Sequence, residues 1–146
     1  MNEQLKAHLL DLSDATDFRD AAREWRVTGF EITDRWGECP CGHRIKEHCH
    51  IENKVTGGCT HVGNVCVEFF TGMGVSHVFN GVKRLANGAA KTLSPAVIDE
   101  FTRLGHISYR ERQFLLDVRL KRSRSPRQGD WEDAIHRRII KHVVKS

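Results

Sequence analysis

Five cysteines in a chain of 146 residues constrain this protein more than any other feature. All five sit in the stretch WGECPCGHRIKEHCHIENKVTGGCTHVGNVCVEFF, residues 36–70, from Cys39 to Cys66. That stretch holds few large apolar side chains, so it cannot build a core of its own. A bound metal supplies the missing folding free energy, on the order of 10 kcal/mol for structural zinc. Zinc prefers tetrahedral thiolate or imidazole ligands. The sequence therefore predicts a structural Zn2+ site made by Cys39, Cys41, Cys49 and Cys66. Cys39-Pro40-Cys41-Gly42 forms a tight knuckle, Cys49 comes from a strand, and Cys66 follows a second strand. C-x-C spacing is tighter than the commoner C-x-x-C. A reduced thiol cluster without metal is the plain alternative.

The surrounding pattern gives the elements. Leu5, Leu9 and Leu12 recur at helical spacing, as do Phe18, Ala21, Ala22 and Trp25. Val27 to Thr33 reads as a short strand. Ile45, Cys49 and Ile51 share one face of the next strand, with Arg44, Lys46, His48 and His50 on the other. Thr56-Gly57-Gly58 marks a hairpin turn, Cys59 to Val62 a second strand, and Val65 to Phe70 a short helix. Glycines keep any helix in 78–90 short. Ser94-Pro95, the Ser108/Glu111 box and Ser125-Pro126-Arg127-Gln128 start three helices, and Gly105 stops the first. Apolar stripes follow: Ile98, Phe101 and Leu104; then Phe114, Leu115 and Val118; then Trp131, Ala134, Ile135 and Ile139. The last two helices are expected to form an antiparallel hairpin around the loop 121–125.

The expected fold class is thus α+β: a small zinc-stabilised, zinc-ribbon-like β-hairpin between N-terminal helices and a C-terminal helical hairpin. The expected segments are 1–35, 36–72 and 73–146.

Charge points to a partner. Residues 103–146 hold 12 Lys/Arg against 5 Asp/Glu, whereas residues 1–102 hold 11 against 14. A polarised basic end suits an anionic partner, and nucleic acid is the usual one. Arg119, Lys121, Arg122, Arg124, Arg127, Arg138 and Lys141 are the candidate phosphate contacts, with Arg137 and Lys145 extending the face. Arg124 and Arg127 flank a helix N-terminus, where an anion is favoured. A solvated helical surface is the competing reading. Few aromatics suit base stacking, Trp36, Tyr109 and Trp131 among them, so contact with the backbone is expected over sequence readout.

Catalysis finds little support. Glu47 or Glu52 could serve as a general base beside the metal in principle, but neither H-E-x-x-H nor a deaminase pattern is present. Cys49 with His48 or His50 makes a poor nucleophile pair, because strand neighbours point to opposite faces. No run of 18 apolar residues suits a membrane span. The start MNEQLKAHLLDLSD lacks the form of an export signal. A cytoplasmic binding protein is expected.

The stretch CPCGHRIKEHCHIEN…TGG…VGNVCVEFF resembles small cysteine-motif proteins encoded in phage and bacterial genomes. The matching residues are Cys39, Cys41, Gly42, Ile45, Ile51, Asn53, Thr56, Gly57, Val62, Gly63, Cys66 and Phe69 or Phe70. The tail HISYRERQFLLDVRLKRSRSPRQGDWEDAI is similar to theirs, and the likeness covers about two thirds of the chain. It implies a zinc ribbon and a mobile-element origin, with no known reaction. It leaves His43 or Cys59 as alternatives to Cys49. A phage-type effector that blocks a host enzyme, a CRISPR effector or a transcription complex is the second functional expectation, and a metal-dependent hydrolase the third.

Overall fold

The computed structural model describes every residue except Met73 and Ser146. The chain divides into two units, Met1–Ser76 with Val144–Ser146, and His77–Val143.

The first unit begins with α1 (Glu3–Asp11), whose Leu5 and Leu9 are fully buried. Asn2 caps it, its Oδ1 accepting from the Leu5 N–H at 2.9 Å. α2 (Phe18–Ala22) is capped by Asp17 and buries Ala21. Trp25 does not continue this helix. It is buried, but as the first residue of β1 (Trp25–Glu38). Its indole N–H donates to Ser13 Oγ at 3.1 Å. β1 is longer than the expected strand at both ends because it pairs antiparallel with β2 (Arg44–Asn53) from Trp25↔Asn53 to Glu38↔Arg44. The register breaks between Ile32 and Gly37. The expected boundary at residue 35 falls inside β1, so the N-terminal segment and the cysteine strands form one sheet.

β3 (Cys59–Gly63) pairs antiparallel with β2, and β4 (Val144–Lys145) runs parallel to Ile32–Thr33. The order is β3-β2-β1-β4. The sheet is therefore larger than the small hairpin expected. α3 (Asn64–Thr71) follows β3 directly.

Alternation along β2 holds at Cys49 and Ile51 but not at His48, which is buried. Gly37 makes room for it: a Cβ there would lie 2.5 Å from His48 Cε1.

The second unit consists of α4 (Ser76–Ala86), α5 (Pro95–Arg103), α6 (Tyr109–Val118) and α7 (Pro126–Val143). Their starts follow the local chemistry. Ser94 Oγ accepts from Val97 N–H at 3.4 Å. Ser108 and Glu111 form a reciprocal box at 3.1 and 2.9 Å, and Ser125 with Gln128 another at 3.2 and 3.0 Å. Phe114 stacks on Trp131 at 4.0 Å between ring centroids, and Glu111 pairs with Arg138 at 2.7 Å. Earlier residues of α6 thus meet later residues of α7, the sense of an antiparallel hairpin. Val78, Phe79, Val82, Ile98, Phe101, Leu115, Ile135 and Ile139 form the core. Ala134 is exposed and Trp131 only half-buried, so the expected α7 stripe is narrower than drawn from the sequence.

Candidate metal centre and basic cleft

The turn between β1 and β2 carries the knuckle. Cys39 N–H donates to His43 O, and Gly42 N–H to Cys39 O, both at 2.8 Å. Gly42 takes φ +98°, a conformation that side chains with a Cβ disfavour. This reversal places Cys39 and Cys41 side by side despite their C-x-C spacing. Asn2 Nδ2 donates to Cys41 O at 2.7 Å, so the residue that caps α1 also ties down the knuckle. Cys66, in the first turn of α3, completes the group. The ligand atoms of Cys39, Cys41 and Cys66 all lie within 4.8 Å of one another. A tetrahedral site with metal–sulfur bonds of about 2.3 Å separates its sulfurs by about 3.8 Å, within that limit. Three cysteines placed this way can hold a metal ion.

The electrostatics suit a thiolate site. Gly63 N–H points at Cys39 Sγ at 3.4 Å, a donor to any charge there. Burial pushes the Cys41 thiol up, but His43 and the neighbouring sulfurs outweigh it and bring the group down to about 7. His43 Nδ1 lies 3.2 Å from Cys41 Sγ. Burial, with Cys41 and Cys39 adding to it, pushes Cys66 up to about 12, and burial also raises Cys39. Of the three, Cys41 is therefore the thiol that ionises most readily near neutral pH. A divalent cation would favour the remaining deprotonations.

Cys49 is not part of the group. It is fully buried in mid-strand, where its cross-strand neighbours are Phe30 and Val62, whereas the knuckle sits beyond the end of β2. Strand parity placed its face correctly but says nothing about distance along the strand. Cys59 is exposed, at the opposite end of β3 from Gly63, and its Sγ contacts Gly57 O at 3.6 Å.

Asn53, Thr56 and Gly57, prominent in the motif, hold the β2–β3 turn. Asn53 is fully buried. Its Oδ1 accepts from Val55 and Thr56 N–H, both at 2.9 Å. Its Nδ2 donates to Glu24 Oε1 at 3.0 Å and Ser13 Oγ at 3.3 Å. Thr56 Oγ1 donates to Leu12 O at 2.6 Å.

The basic residues divide into two groups. Arg119, Lys121, Arg122 and Arg124 line one cleft of about 880 Å³, together with Lys91 and Arg137. Glu132 and Asp133 also line it. Lys121 and Arg122 are exposed. Arg124 is not available for a free phosphate contact: it pairs with buried Glu132 at 3.1 Å and donates to Lys121 O at 2.6 Å. Arg138 is engaged likewise with Glu111 and with His106 O. Arg127 and Lys141 are exposed but do not line the cleft. The N-terminus of α7 is not an open anion site either, since Ser125 Oγ takes the Gln128 N–H.

Sequence reasoning missed Thr92 and His136, which line the same cleft. His136 is buried, and burial lowers its pKa below the ordinary 6.5. Its signal was its place one residue after Ile135, in helical register with Glu132. In the first unit, Trp36 is exposed, with Arg44 and Lys46 at 5.2 and 4.7 Å from its ring centroid. Among the described residues no helix is long and apolar enough to cross a membrane. Comparison of the chain with protein-family models, with curated proteins and with solved structures returned no significant match.

Proposed function

We propose that this is a zinc-stabilised nucleic-acid-binding protein of phage or mobile-element type, acting by binding and not by catalysis. In this reading zinc takes Cys39, Cys41 and Cys66, with His43, already against Cys41, as the fourth donor. The metal supplies folding free energy to the β1–β2 turn and the start of α3. The observation that carries the functional half is the lining of the helical unit's cleft: six cationic side chains against two carboxylates, one of which Arg124 already neutralises. A surface of that sign attracts phosphates and steers their approach.

The test is fluorescence anisotropy with labelled single- and double-stranded DNA and RNA across a salt series, on protein of verified zinc content. Binding should weaken steeply with salt. A Lys121→Ala/Arg122→Ala double variant should bind more weakly, with the logarithmic salt slope smaller by about two. Both residues are exposed, so the fold should survive. Absence of binding at low salt would overturn the reading.

A second reading has its own observation. Val65 and Phe69, four apart on α3, are 61% and 57% exposed. An apolar pair on one helix face suits a protein partner, as an effector of host complexes requires. Such a protein would capture a partner independently of Lys121 and Arg122, and would lose it on Phe69→Ala.

A further inference from the structure

Three buried side-chain atoms lack any hydrogen-bond partner among the described residues: Thr92 Oγ1, Arg119 Nε and His136 Nε2. All three belong to residues that line the same cleft. Buried polar groups are rarely left unpaired, so three among the residues lining one cleft mark a place where a ligand can complete the bonding. His136 is only 7% exposed, which makes its unpaired nitrogen the most telling of the three.

The chemistry of the three atoms narrows the ligand. Arg119 Nε–H can only donate. The Thr92 hydroxyl donates or accepts. A neutral imidazole donates from Nε2 in one tautomer, and burial keeps His136 neutral near pH 7. The set therefore suits a group with several acceptor oxygens. Lys121 and Arg122 add positive charge at the same cleft, and the carboxylate of Glu132 is offset by Arg124. The ligand should thus be an oxyanion. A diester in a nucleic-acid backbone offers two non-bridging oxygens and one charge. A monoester offers three terminal oxygens and up to two charges, matching three donors and a cationic rim. At about 880 Å³ the cleft has the size of small-molecule sites and leaves room for a nucleoside beyond the phosphate.

We propose that this cleft is a phosphomonoester pocket, in which Thr92, Arg119 and His136 hold the terminal phosphate of a free nucleotide or of an oligonucleotide end. The proposal deepens the phosphate-binding reading above: it replaces tracking of a backbone by capture of an end.

The experiment compares one single-stranded oligonucleotide in 5′-phosphorylated, 3′-phosphorylated and unphosphorylated forms, by anisotropy on the full chain. Adenosine 5′-monophosphate and inorganic phosphate serve as competitors and as ligands in thermal-shift assays. One phosphorylated form should bind at least about tenfold more tightly than the unphosphorylated one, the scale of a lost charge-assisted hydrogen bond. Thr92→Val keeps the side-chain shape and removes an unpaired hydroxyl, so it should fold normally and erase that preference. His136→Leu removes the ring nitrogen and puts no donor in its place, so it should do the same, which guards against an idiosyncrasy of one variant. Thermal shifts by adenosine 5′-monophosphate that Thr92→Val erases, without oligonucleotide binding, would support the pocket for a free nucleotide and sink the nucleic-acid reading. Equal, salt-dependent binding of all three oligonucleotides, with no effect of either small competitor, would overturn the pocket and leave the nucleic-acid reading standing. No binding of any probe would overturn both.

Discussion

Asn53→Ala is the substitution whose cost the structure specifies best. The side chain is fully buried and makes four hydrogen bonds. Two accept from the backbone of Val55 and Thr56, whose exposed turn lets water take over part of the loss. At a net 1 kcal/mol each these give about 2 kcal/mol. The bond to Glu24 is charge-assisted and adds roughly 1.5–3 kcal/mol. The contact to Ser13 is long at 3.3 Å and adds little. The total is about 4 kcal/mol, a large part of the 5–15 kcal/mol typical of a domain. With a urea slope of about 2 kcal/mol per molar, the midpoint should fall by about 2 M. The assay is urea unfolding followed by tryptophan fluorescence in a Trp36→Phe/Trp131→Phe background. That leaves Trp25, which contacts Ser13 beside Asn53, as the reporter of this unit. A loss below about 1 kcal/mol would refute the reasoning, because the turn would then be held by its backbone alone.

Cys66→Ala should abolish tight zinc binding, whereas Cys49→Ala and Cys59→Ser should each retain one zinc per chain, as measured by elemental analysis of dialysed protein. Gly37→Ala should destabilise the first unit by roughly 1–3 kcal/mol, since the new methyl overlaps the buried His48 ring; urea unfolding checks it, and Gly57→Ala is no control because its φ is +77°. The lowered pKa of His136 makes the unfolded chain bind more protons as pH drops below 6.5. Stability is therefore complete above that value and falls as pH descends towards the folded pKa, by at most about 1.4 kcal/mol per pH unit from this one group. His136→Gln should flatten that dependence in thermal melts between pH 7.5 and 5. The slope should not vanish, because burial also lowers His48 and His106.

Local chemistry was the most legible part of the sequence. Ser94, Ser108 and Ser125 cap α5, α6 and α7 at the positions their spacing indicates, because a cap needs only a backbone N–H three residues away. The Thr56–Gly58 turn and β3 follow for the same reason. Trp25 shows the limit. Its helical spacing from Phe18 and Ala21 is real, yet burial is equally served by a strand, and pairing with Asn53 decides for β1. His48 shows another limit: parity sends it outward, but the absence of a side chain at Gly37 admits it to the interior.

The candidate sites divide along the same line. The sequence alone determined that thiols gather between residues 36 and 70, that Cys39-Pro40-Cys41-Gly42 turns sharply, and that the C-terminal third is basic. These are properties of composition and of contacts within a few residues. Only the tertiary structure decided that Cys66 and not Cys49 joins the knuckle, since that depends on where β2 and β3 end. It also decided that Arg124 and Arg138 are spent on Glu132 and Glu111, while Thr92 and His136 meet Arg119 in one cleft. An arginine's charge is written in the sequence, but its freedom to meet a ligand depends on which carboxylate the packing of the helices brings within 3 Å or so.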